Sequence, residues 1–491
     1  MSSLKDILKN SSVYTILGFL PTASRIFLLP IFLIYLSPED FALIGLNTLV
    51  AGLLPLVMTL GLENAFVRFY FDYSRKPKLL RAYLSTILLF VMFSSTIISV
   101  LIFPFGEAIF KLIFKTKEFS FIPFGITALL SAFFASIYTI IFALYRNKQD
   151  IKSYTYFAGG MFLATTIAES LAIIVFKCGP IGVIWTKLIA TGIITLFFLF
   201  KVFRENGLFF EKRFIKPSYK YALPLIPYVL FGLVFTSFDR IMIEHNFDLT
   251  SLAVYNLAMA IAHITDSFMY ALQSATYPTV YSLLKENMDK NTNKISQIYR
   301  LIGLVVLLII SALIASTPIG IINFLNPKYI PAIALIPIVL ISYGFRYLHI
   351  VFTEPLFFFK QTKKLPWLAL IGGSVSIIGN LTLLPLFGLT GAAFTFVIAK
   401  LIQLCPTYYW YLKASSLRFK LNYIYPIMFI IFAISLLLSF SFNNLILTPW
   451  ILYTLSFMPF ISIFSCVYIV FWVNSNYKFI IPTLDNFKKY F

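Results

Sequence analysis

Apolar stretches long enough to cross a bilayer recur along almost the whole chain. A helix needs about 20 mostly apolar residues to cross about 30 Å of hydrocarbon. The pattern therefore predicts an all-α polytopic membrane protein with about fourteen transmembrane helices. These spans lie at roughly 12–36, 40–65, 79–103, 119–145, 153–176, 180–203, 219–244, 249–282, 297–324, 329–358, 365–386, 389–412, 422–441 and 448–473.

Basic residues are distributed unequally between the two sets of connecting loops. Of the 39 Lys and Arg residues, 28 lie in loops on the side of the termini and five lie in the opposite loops. The positive-inside rule then predicts that both termini are cytoplasmic. The chain would be a multi-pass protein of a bacterial cytoplasmic (inner) membrane. The longest outer loop, at 104–118, is too short to form a separate domain.

Short motifs recur at a nearly constant offset, which predicts an internal duplication. Gly179-Pro180 at the start of the sixth span matches Gly388-Leu389 at the start of the twelfth. Lys148-Gln149 and Lys360-Gln361 match in the same way after the fourth and tenth spans. We predict a six-helix lobe at 1–203, a basic linker at 204–220, a second six-helix lobe at 221–413, and two further helices with a tail at 414–491.

Composition and motif content exclude several classes of function. Hydrophobic residues make up 60% of the chain and charged residues 12%, so the net charge of +20 is better explained by membrane topology than by nucleic-acid binding. The three cysteines form no CxxC or Cys/His cluster, and we predict neither a metal site nor a cofactor. Nucleotide-binding and HExxH motifs are both missing, so we predict no enzymatic activity. We interpret Glu39-Asp40 as a helix N-terminus.

Basic side chains inside the spans are the strongest candidates for binding. An ionisable group inside a membrane costs about 2.5–3.5 kcal/mol on insertion scales, and such groups usually face a cavity or a partner. Arginine and lysine in such a place suit a phosphate-bearing ligand, because the guanidinium forms a planar fork. The candidates for binding a pyrophosphate are Arg25, Arg346, Lys400 and Lys187.

Acidic and histidine side chains inside the spans have two alternative roles. They could bind a coupling ion, either a proton or Na⁺, or they could balance the charge of an arginine. These candidates are Glu169, His263, Asp266, His349 and Glu354. For the neighbouring pair Asp239-Arg240, we favour a local ion pair or a helix-end role over contact with a substrate. Stripes of Ser, Thr and Gly on the same helices are equally typical of helix–helix packing.

Prolines interrupt the opening helix of each predicted lobe. Pro21 and Pro30 lie in the first span, and Pro224 and Pro227 lie in the seventh. Broken helices at equivalent places in two repeats indicate the moving parts of a transporter, so we predict hinges there. Passive kinking is the alternative, since proline is common in membrane helices.

Four stretches of the chain resemble the Wzx-type polysaccharide flippases of the multidrug/oligosaccharidyl-lipid/polysaccharide exporter superfamily. The first, at 29–73, ends in a Gly-Leu-x-x-Ala-x-x-Arg pattern from Gly61 to Arg68. The second, at 237–262, contains Asp239-Arg240 and Val254-Tyr255. The others are NPKYIPAIALIPIVL at 326–340 and GNLTLLPLFGLTGAAFTFVIAKLI at 379–402.

The resemblance implies two six-helix lobes around a central cavity, with two further helices behind them. It implies alternating access that moves an undecaprenyl-pyrophosphate-linked oligosaccharide, such as an O-antigen or capsule repeat unit, to the outer leaflet. It also implies membrane lipids, a polysaccharide polymerase and chain-length proteins as partners. Two other functions stay open: a cation-coupled multidrug antiporter on the same scaffold, and a membrane polymerase or glycosyltransferase.

Overall fold

A computed structural model describes residues 20, 23–223, 226–286, 288–359, 361, 364–414, 417–421 and 424–443. This part of the chain is almost entirely helical and contains no β-strand. The helices are α1 (Ala23–Tyr35), α2 (Pro38–Thr59), α3 (Leu62–Tyr73), α4 (Pro77–Ile102), α5 (Gly106–Ile113), α6 (Ile126–Lys148), α7 (Ile151–Ile174), α8 (Gly179–Asn206), α9 (Ile215–Ala222), α10 (Ile226–Asn246), α11 (Leu249–Glu286), α12 (Met288–Phe324), α13 (Ala332–Phe358), α14 (Leu365–Ala414) and α15 (Ile424–Asn443).

The predicted all-helical membrane architecture is confirmed. Among the described residues, nine helices are long and apolar enough to cross a membrane. The last predicted span, at 448–473, lies outside the described residues, as does the beginning of the first span. The eleventh and twelfth spans form one helix, α14, which is broken at Gly388, where φ is 61°. Glycine adopts this left-handed conformation without the steric cost of a Cβ.

Two local structures differ from the sequence prediction. The predicted second span, at 40–65, breaks at Leu60 and Gly61, whose φ values of 51° and 72° end α2 and begin the separate helix α3. The predicted outer loop at 104–118 contains the short helix α5, whose Phe110 is buried among Phe114, Phe119 and Phe121. Hydropathy predicts neither feature, because both depend on local backbone geometry and aromatic packing.

The apolar cores show where the two halves of the chain meet. We call α1–α8 the amino-terminal helices and α10–α14 the carboxy-terminal helices. Following the topology that the sequence predicts, we call the end of the bundle that carries residues 36–38, 103–120, 246–249 and 325–331 the outer end. One core joins the carboxy-terminal helices to the outer parts of the amino-terminal helices, including Phe41, Phe110 and Val183. A second core, with Tyr83, Phe157 and Phe198, lies within the inner parts of the amino-terminal helices. The two groups therefore share a core at the outer end.

Candidate functional site

Four basic side chains from four helices act on one histidine of α11. The electrostatic fields of Arg240, Arg25, Arg346 and Lys400 all reach His263, and that of Arg240 is the strongest. Arg25 belongs to the amino-terminal helices, whereas the other three belong to the carboxy-terminal helices. Three of these cations, Arg25, Arg346 and Lys400, were predicted from the sequence as a phosphate site. The charges of these three residues thus act on the same histidine, His263.

Arg25 is held on the amino-terminal side by contacts between α1 and α7. The hydroxyls of Ser24 and Thr166 are hydrogen-bonded at 2.8 Å, and the rings of Phe27 and Phe162 pack edge to face at 6.3 Å. The Arg25 side chain is exposed, and it forms no salt bridge with the described carboxylates. A guanidinium at this depth in a membrane protein is best accommodated when it faces water or an anion.

Glu169 on α7 is the acidic neighbour of this side of the site. Its side chain is 3% exposed, and its Oε1 lies 3.9 Å from the Nζ of Lys187 on α8. Both Lys187 and Arg25 act electrostatically on the Glu169 carboxylate. The arrangement agrees with a charge-balancing role for Glu169. Lys187 keeps an exposed side chain.

Arg346 on α13 forms the best-defined ion pair among the described residues. Its Nε and Nη2 donate to the two carboxylate oxygens of Asp266 on α11, at 2.6 and 3.2 Å. This bidentate geometry holds the guanidinium in one orientation. Both side chains remain about one-third exposed, so the pair is accessible to a ligand. Beside it, the hydroxyl of Tyr343 is 3.1 Å from the Nδ1 of His263.

Lys400 and His349 lie deeper in the carboxy-terminal helices. Lys400 is 5% exposed, and its Nζ lies 5.3 Å from the centre of the Phe396 ring. The Nδ1 of His349 is hydrogen-bonded to the Thr407 hydroxyl at 2.9 Å. Lys400 and Arg346 both act electrostatically on His349. These contacts connect α13 and α14 next to the predicted phosphate site.

A cavity of about 240 Å³ opens beside Arg346. Its lining brings together Arg346, His349 and Glu354, three residues that the sequence predicted for binding or coupling. Tyr277, Thr353 and Gln403 supply further polar groups. Lys400 does not line this cavity, although it lies close enough to influence His349. The cavity therefore has a mixed polar and apolar lining, which includes a cation and a carboxyl group.

Glu354 differs from the other acidic candidates because its hydrogen-bond partners are neutral. Its side chain is buried and accepts hydrogen bonds from Tyr299, Gln273 and Tyr277. Within the described ranges, no basic group lies at salt-bridge distance from it. The structure thus separates the acidic candidates: Asp266 pairs with Arg346, Glu169 pairs with Lys187, and Glu354 binds neutral donors.

The predicted hinge prolines are described only in part. Pro30 lies inside α1, which continues through it without a break. Pro227 lies in the first turn of α10. Backbone amides in the first turn form no hydrogen bond within the helix, so proline breaks none there. Pro21 and Pro224 lie outside the described residues. Hinge motion at all four positions stays a prediction.

Polar contacts between the helix groups at the outer end were not predicted. Glu39 Oε1 accepts hydrogen bonds from Lys328 Nζ at 2.7 Å and Thr250 Oγ1 at 2.8 Å. Glu244 on α10 accepts hydrogen bonds from the backbone amides of Lys115 and Thr116, at 3.1 and 2.6 Å. The interpretation of Glu39-Asp40 as helix-capping residues is corrected, because Ser37 caps α2 and the two acidic residues lie in its first turn. We call these two carboxylates and their partners the outer latch.

The fold is that of a polytopic membrane protein, and similarity to known sequences identifies its family. The sequence profile described as polysaccharide biosynthesis protein matches residues 7–284, more than half of the chain. The chain belongs to this polysaccharide biosynthesis protein family. It is also 27% identical over 226 residues to the uncharacterized membrane protein MJ1068 of Methanocaldococcus jannaschii. That match covers 44% of this chain and 43% of the relative, so it spans less than half of the relative's length.

Solved structures share the fold at low sequence identity. The lipid II flippase MurJ in an inward closed conformation superposes with a TM-score of 0.66 and 16% identity, covering 88% of this chain and 99% of that one. An inward-facing multidrug resistance MATE family transporter of the MOP superfamily gives a TM-score of 0.64 and 14% identity, covering 82% and 95% of the two chains. The chain therefore has the fold of MurJ and the MATE transporters.

Proposed function

We propose that the protein is a flippase that moves a pyrophosphate-linked, polyprenyl-anchored oligosaccharide from the inner to the outer leaflet of a bacterial cytoplasmic membrane. The observation that carries this proposal is the convergence of four cations from both helix groups on the surroundings of His263. A diphosphate that bridges a lipid and a sugar carries two negative charges. Cationic groups between the two helix groups offset the cost of moving these charges through the bilayer.

The depth of the basic residues supports this proposal. A helix rises about 1.5 Å per residue, so Arg346 lies about 21 Å along α13 from Ala332 at the outer end. By the same rise, Lys400 lies about 18 Å from Gly388, and Arg25 lies about 15 Å from Tyr35. The hydrocarbon core is about 30 Å thick, so all three lie near its middle. Transporter sites between two repeats are commonly found at this depth.

Alternating access is the mechanism that agrees best with the outer latch. The helix groups share a core at the outer end, while the inner parts of the amino-terminal helices have a core of their own. Gly45 on α2 approaches α11 so closely that an added Cβ would lie 2.5 Å from the Nδ2 of Asn256. We infer that the described conformation is closed at the outer end. The substrate would enter from the inner side, and release would require the latch to open.

Glu354 is the residue that we assign to energy coupling. Its neutral hydrogen-bond partners leave its charge free to be balanced by a proton or Na⁺, and it faces the same cavity as Arg346. Binding of a cation there would change the charge next to the phosphate site. Ion binding would thereby affect substrate binding, although the ion and the substrate would not touch each other.

A cation-coupled multidrug antiporter is the alternative. It would need an acidic site for a cationic drug, and Glu354 is the observation that favours it. Against this alternative, Glu169 is paired with Lys187, and Asp266 is paired with Arg346. Arg25 has no salt-bridge partner among the described residues, so this side of the site offers an unpaired positive charge, which suits an anion. We likewise propose no enzymatic activity, and we infer a polymerase and chain-length proteins only as functional partners.

Complementation in cells tests the proposal. A bacterium that lacks its own oligosaccharide flippase should regain surface polysaccharide when it expresses this protein together with the glycosyltransferases that build the matching repeat unit. Arg25→Ala should lose this activity, and Arg25→Lys should keep part of it, because lysine retains the charge but not the fork. Drug susceptibility of the same strains discriminates the antiporter. Increased drug resistance without surface polysaccharide would contradict the flippase proposal.

A further inference from the structure

Arg240 on α10 is a cation that the sequence assigned to a local ion pair with Asp239. The structure gives Asp239 different partners. One carboxylate oxygen accepts the backbone amide hydrogen of Arg240 at 2.8 Å, and the other accepts the hydroxyl hydrogen of Tyr255 at 2.5 Å. The Asp239 side chain is buried, so these two bonds satisfy it. The sequence favoured a local ion pair or a helix-end role for these two residues; the structure shows no direct contact between their charged groups, although the Arg240 charge still acts on the Asp239 carboxylate.

The Arg240 guanidinium forms no direct salt bridge, although it lies within electrostatic range of Asp239. No described acidic side chain lies within salt-bridge distance of it, and its Nε is buried without a hydrogen-bond partner. A buried donor without an acceptor is costly, and a guanidinium within a membrane span is costly as well. Packing alone does not explain an arginine here. An anionic ligand that visits the site does.

The position of Arg240 fits the predicted phosphate site. Of the four cations whose fields reach His263, Arg240 has the strongest effect, and it also acts on Tyr343, the hydrogen-bond partner of His263. It lies six residues before the outer end of α10 at Asn246, about 9 Å at 1.5 Å per residue. Helical side chains lean toward the helix N-terminus, which in α10 is the inner end. The guanidinium is therefore directed toward the level of the other cations.

Arg25 and Arg240 complement each other across the two helix groups. Arg346 is occupied by Asp266, whereas Arg25 and Arg240 have no salt-bridge partner among the described residues. One of the two comes from α1 and the other from α10. A lipid-linked diphosphate sugar carries one negative charge on each phosphate, while the corresponding monophosphate carries only one. Two guanidinium groups match the diphosphate in number, and each suits one phosphate.

We propose that Arg240 is a substrate-binding residue that pairs with the second phosphate and makes the site select a lipid-linked diphosphate over a lipid-linked monophosphate. This inference rests on the proposed function, because it assigns Arg240 to the same anion site as Arg25. In the occupied site, Arg25 and Arg240 hold the two phosphates from opposite helix groups. The diphosphate thereby links the helix groups, and a monophosphate cannot do so equally well.

Binding measurements on the purified full-length protein in nanodiscs test this proposal. The two probes are a polyprenyl diphosphate N-acetylglucosamine and the polyprenyl monophosphate N-acetylglucosamine of the same chain length. Arg240→Gln should weaken diphosphate binding about tenfold, as expected for one charge-assisted contact, and should leave monophosphate binding nearly unchanged. Arg240→Lys should recover part of the selectivity. Arg68→Gln is the matched control, because Arg68 is exposed and paired with Asp72.

The outcomes separate this inference from the proposed function. A ratio of the two affinities that is unchanged in Arg240→Gln overturns the inference, and so does an equal loss of both ligands, which would indicate a structural role. Arg25→Gln is measured in parallel. If Arg25→Gln weakens binding and Arg240→Gln does not, only the role of Arg240 is wrong. If neither variant affects either ligand, the proposed anion site itself is contradicted.

Discussion

The carboxylate of Glu39 accepts a hydrogen bond from the Nζ of Lys328 at 2.7 Å, and this ion pair joins the first turn of α2 to the segment before α13. The two residues are far apart in sequence, and they belong to the amino-terminal and carboxy-terminal halves of the chain. Thr250 at the start of α11 donates to the same oxygen. The contact is one half of the outer latch, and its opening is required if the substrate leaves at this end.

Crosslinking the latch should stop transport. We expect that Glu39→Cys combined with Lys328→Cys, in a background without Cys178, Cys405 and Cys466, is joined by a bis-methanethiosulfonate crosslinker, which spans the gap left by the two long side chains, and that this link abolishes translocation in proteoliposomes. Reduction should restore the rate, because the link holds the helix groups in the closed arrangement. Glu39→Cys alone, treated with the same crosslinker, is the control. Undiminished translocation in fully crosslinked protein would show that this end does not open.

Replacing Glu354 by Gln should uncouple transport from its driving ion. The amide retains the shape of the side chain and one acceptor oxygen but cannot take up a proton or balance Na⁺. We expect substrate binding to persist while stimulation of transport by an imposed proton or sodium gradient is lost. Glu63→Gln, which alters a partly buried carboxyl on the separate helix α3, is the control. A gradient response equal to that of the wild type would remove Glu354 from the coupling site.

The Arg346–Asp266 pair should behave as a coupled unit in stability measurements. Breaking a partly buried pair leaves one charge unbalanced, so each single variant, Arg346→Ala and Asp266→Asn, should be less stable than the wild type. The double variant should lose less stability than the sum of the losses in the two single variants. We expect a coupling energy of about 0.5–3 kcal/mol from thermal unfolding in detergent. Strict additivity would show that the bidentate contact contributes no net stability.

Asp248 provides a pH-dependent test outside the membrane-spanning segments. The hydrogen bonds from the Ser251 side chain and backbone amide at the start of α11 lower the pKa of this carboxyl. A carboxyl whose pKa is lowered by folding stabilises the protein above its unfolded pKa of about 3.9 and loses this contribution as the pH falls through the folded value. Asp248→Ala should therefore cost about 1 kcal/mol at pH 7 and progressively less below pH 4. A loss of stability in Asp248→Ala that does not depend on pH would contradict this assignment of the Asp248 pKa.

Hydropathy was sufficient to predict most of the helices, because a span is a local property of about 20 residues. It also selected Arg25, Arg346 and Lys400, since a charge in the middle of an apolar segment needs a specific environment. It could not predict that Asp239 accepts hydrogen bonds from the Tyr255 hydroxyl and the Arg240 backbone amide and makes no direct contact with the Arg240 guanidinium. That choice depends on how α10 packs against α11. Local spacing in the sequence does not contain this information.

The outer latch is a second feature that the sequence could not predict. Glu39, Glu244 and Lys328 lie close to helix ends, where charged residues are common and usually solvated. Nothing in their spacing distinguishes them from other loop residues. Only the shared core at the outer end brings Glu39 near Thr250 and Glu244 near the amides of residues 115 and 116. Contacts between the two helix groups are tertiary, and they require the structure.

Translocation by the purified protein tests the central role of the basic site most directly. Proteoliposomes would contain a fluorescent polyprenyl diphosphate oligosaccharide, and a membrane-impermeant quencher would report its movement between leaflets. The account predicts that the wild type and Arg68→Ala move this lipid at similar rates, and that Arg25→Ala moves it at least about tenfold more slowly, as expected when a charge-assisted contact is lost. Equal rates for Arg25→Ala and the wild type, in protein that is folded and correctly inserted, would contradict it.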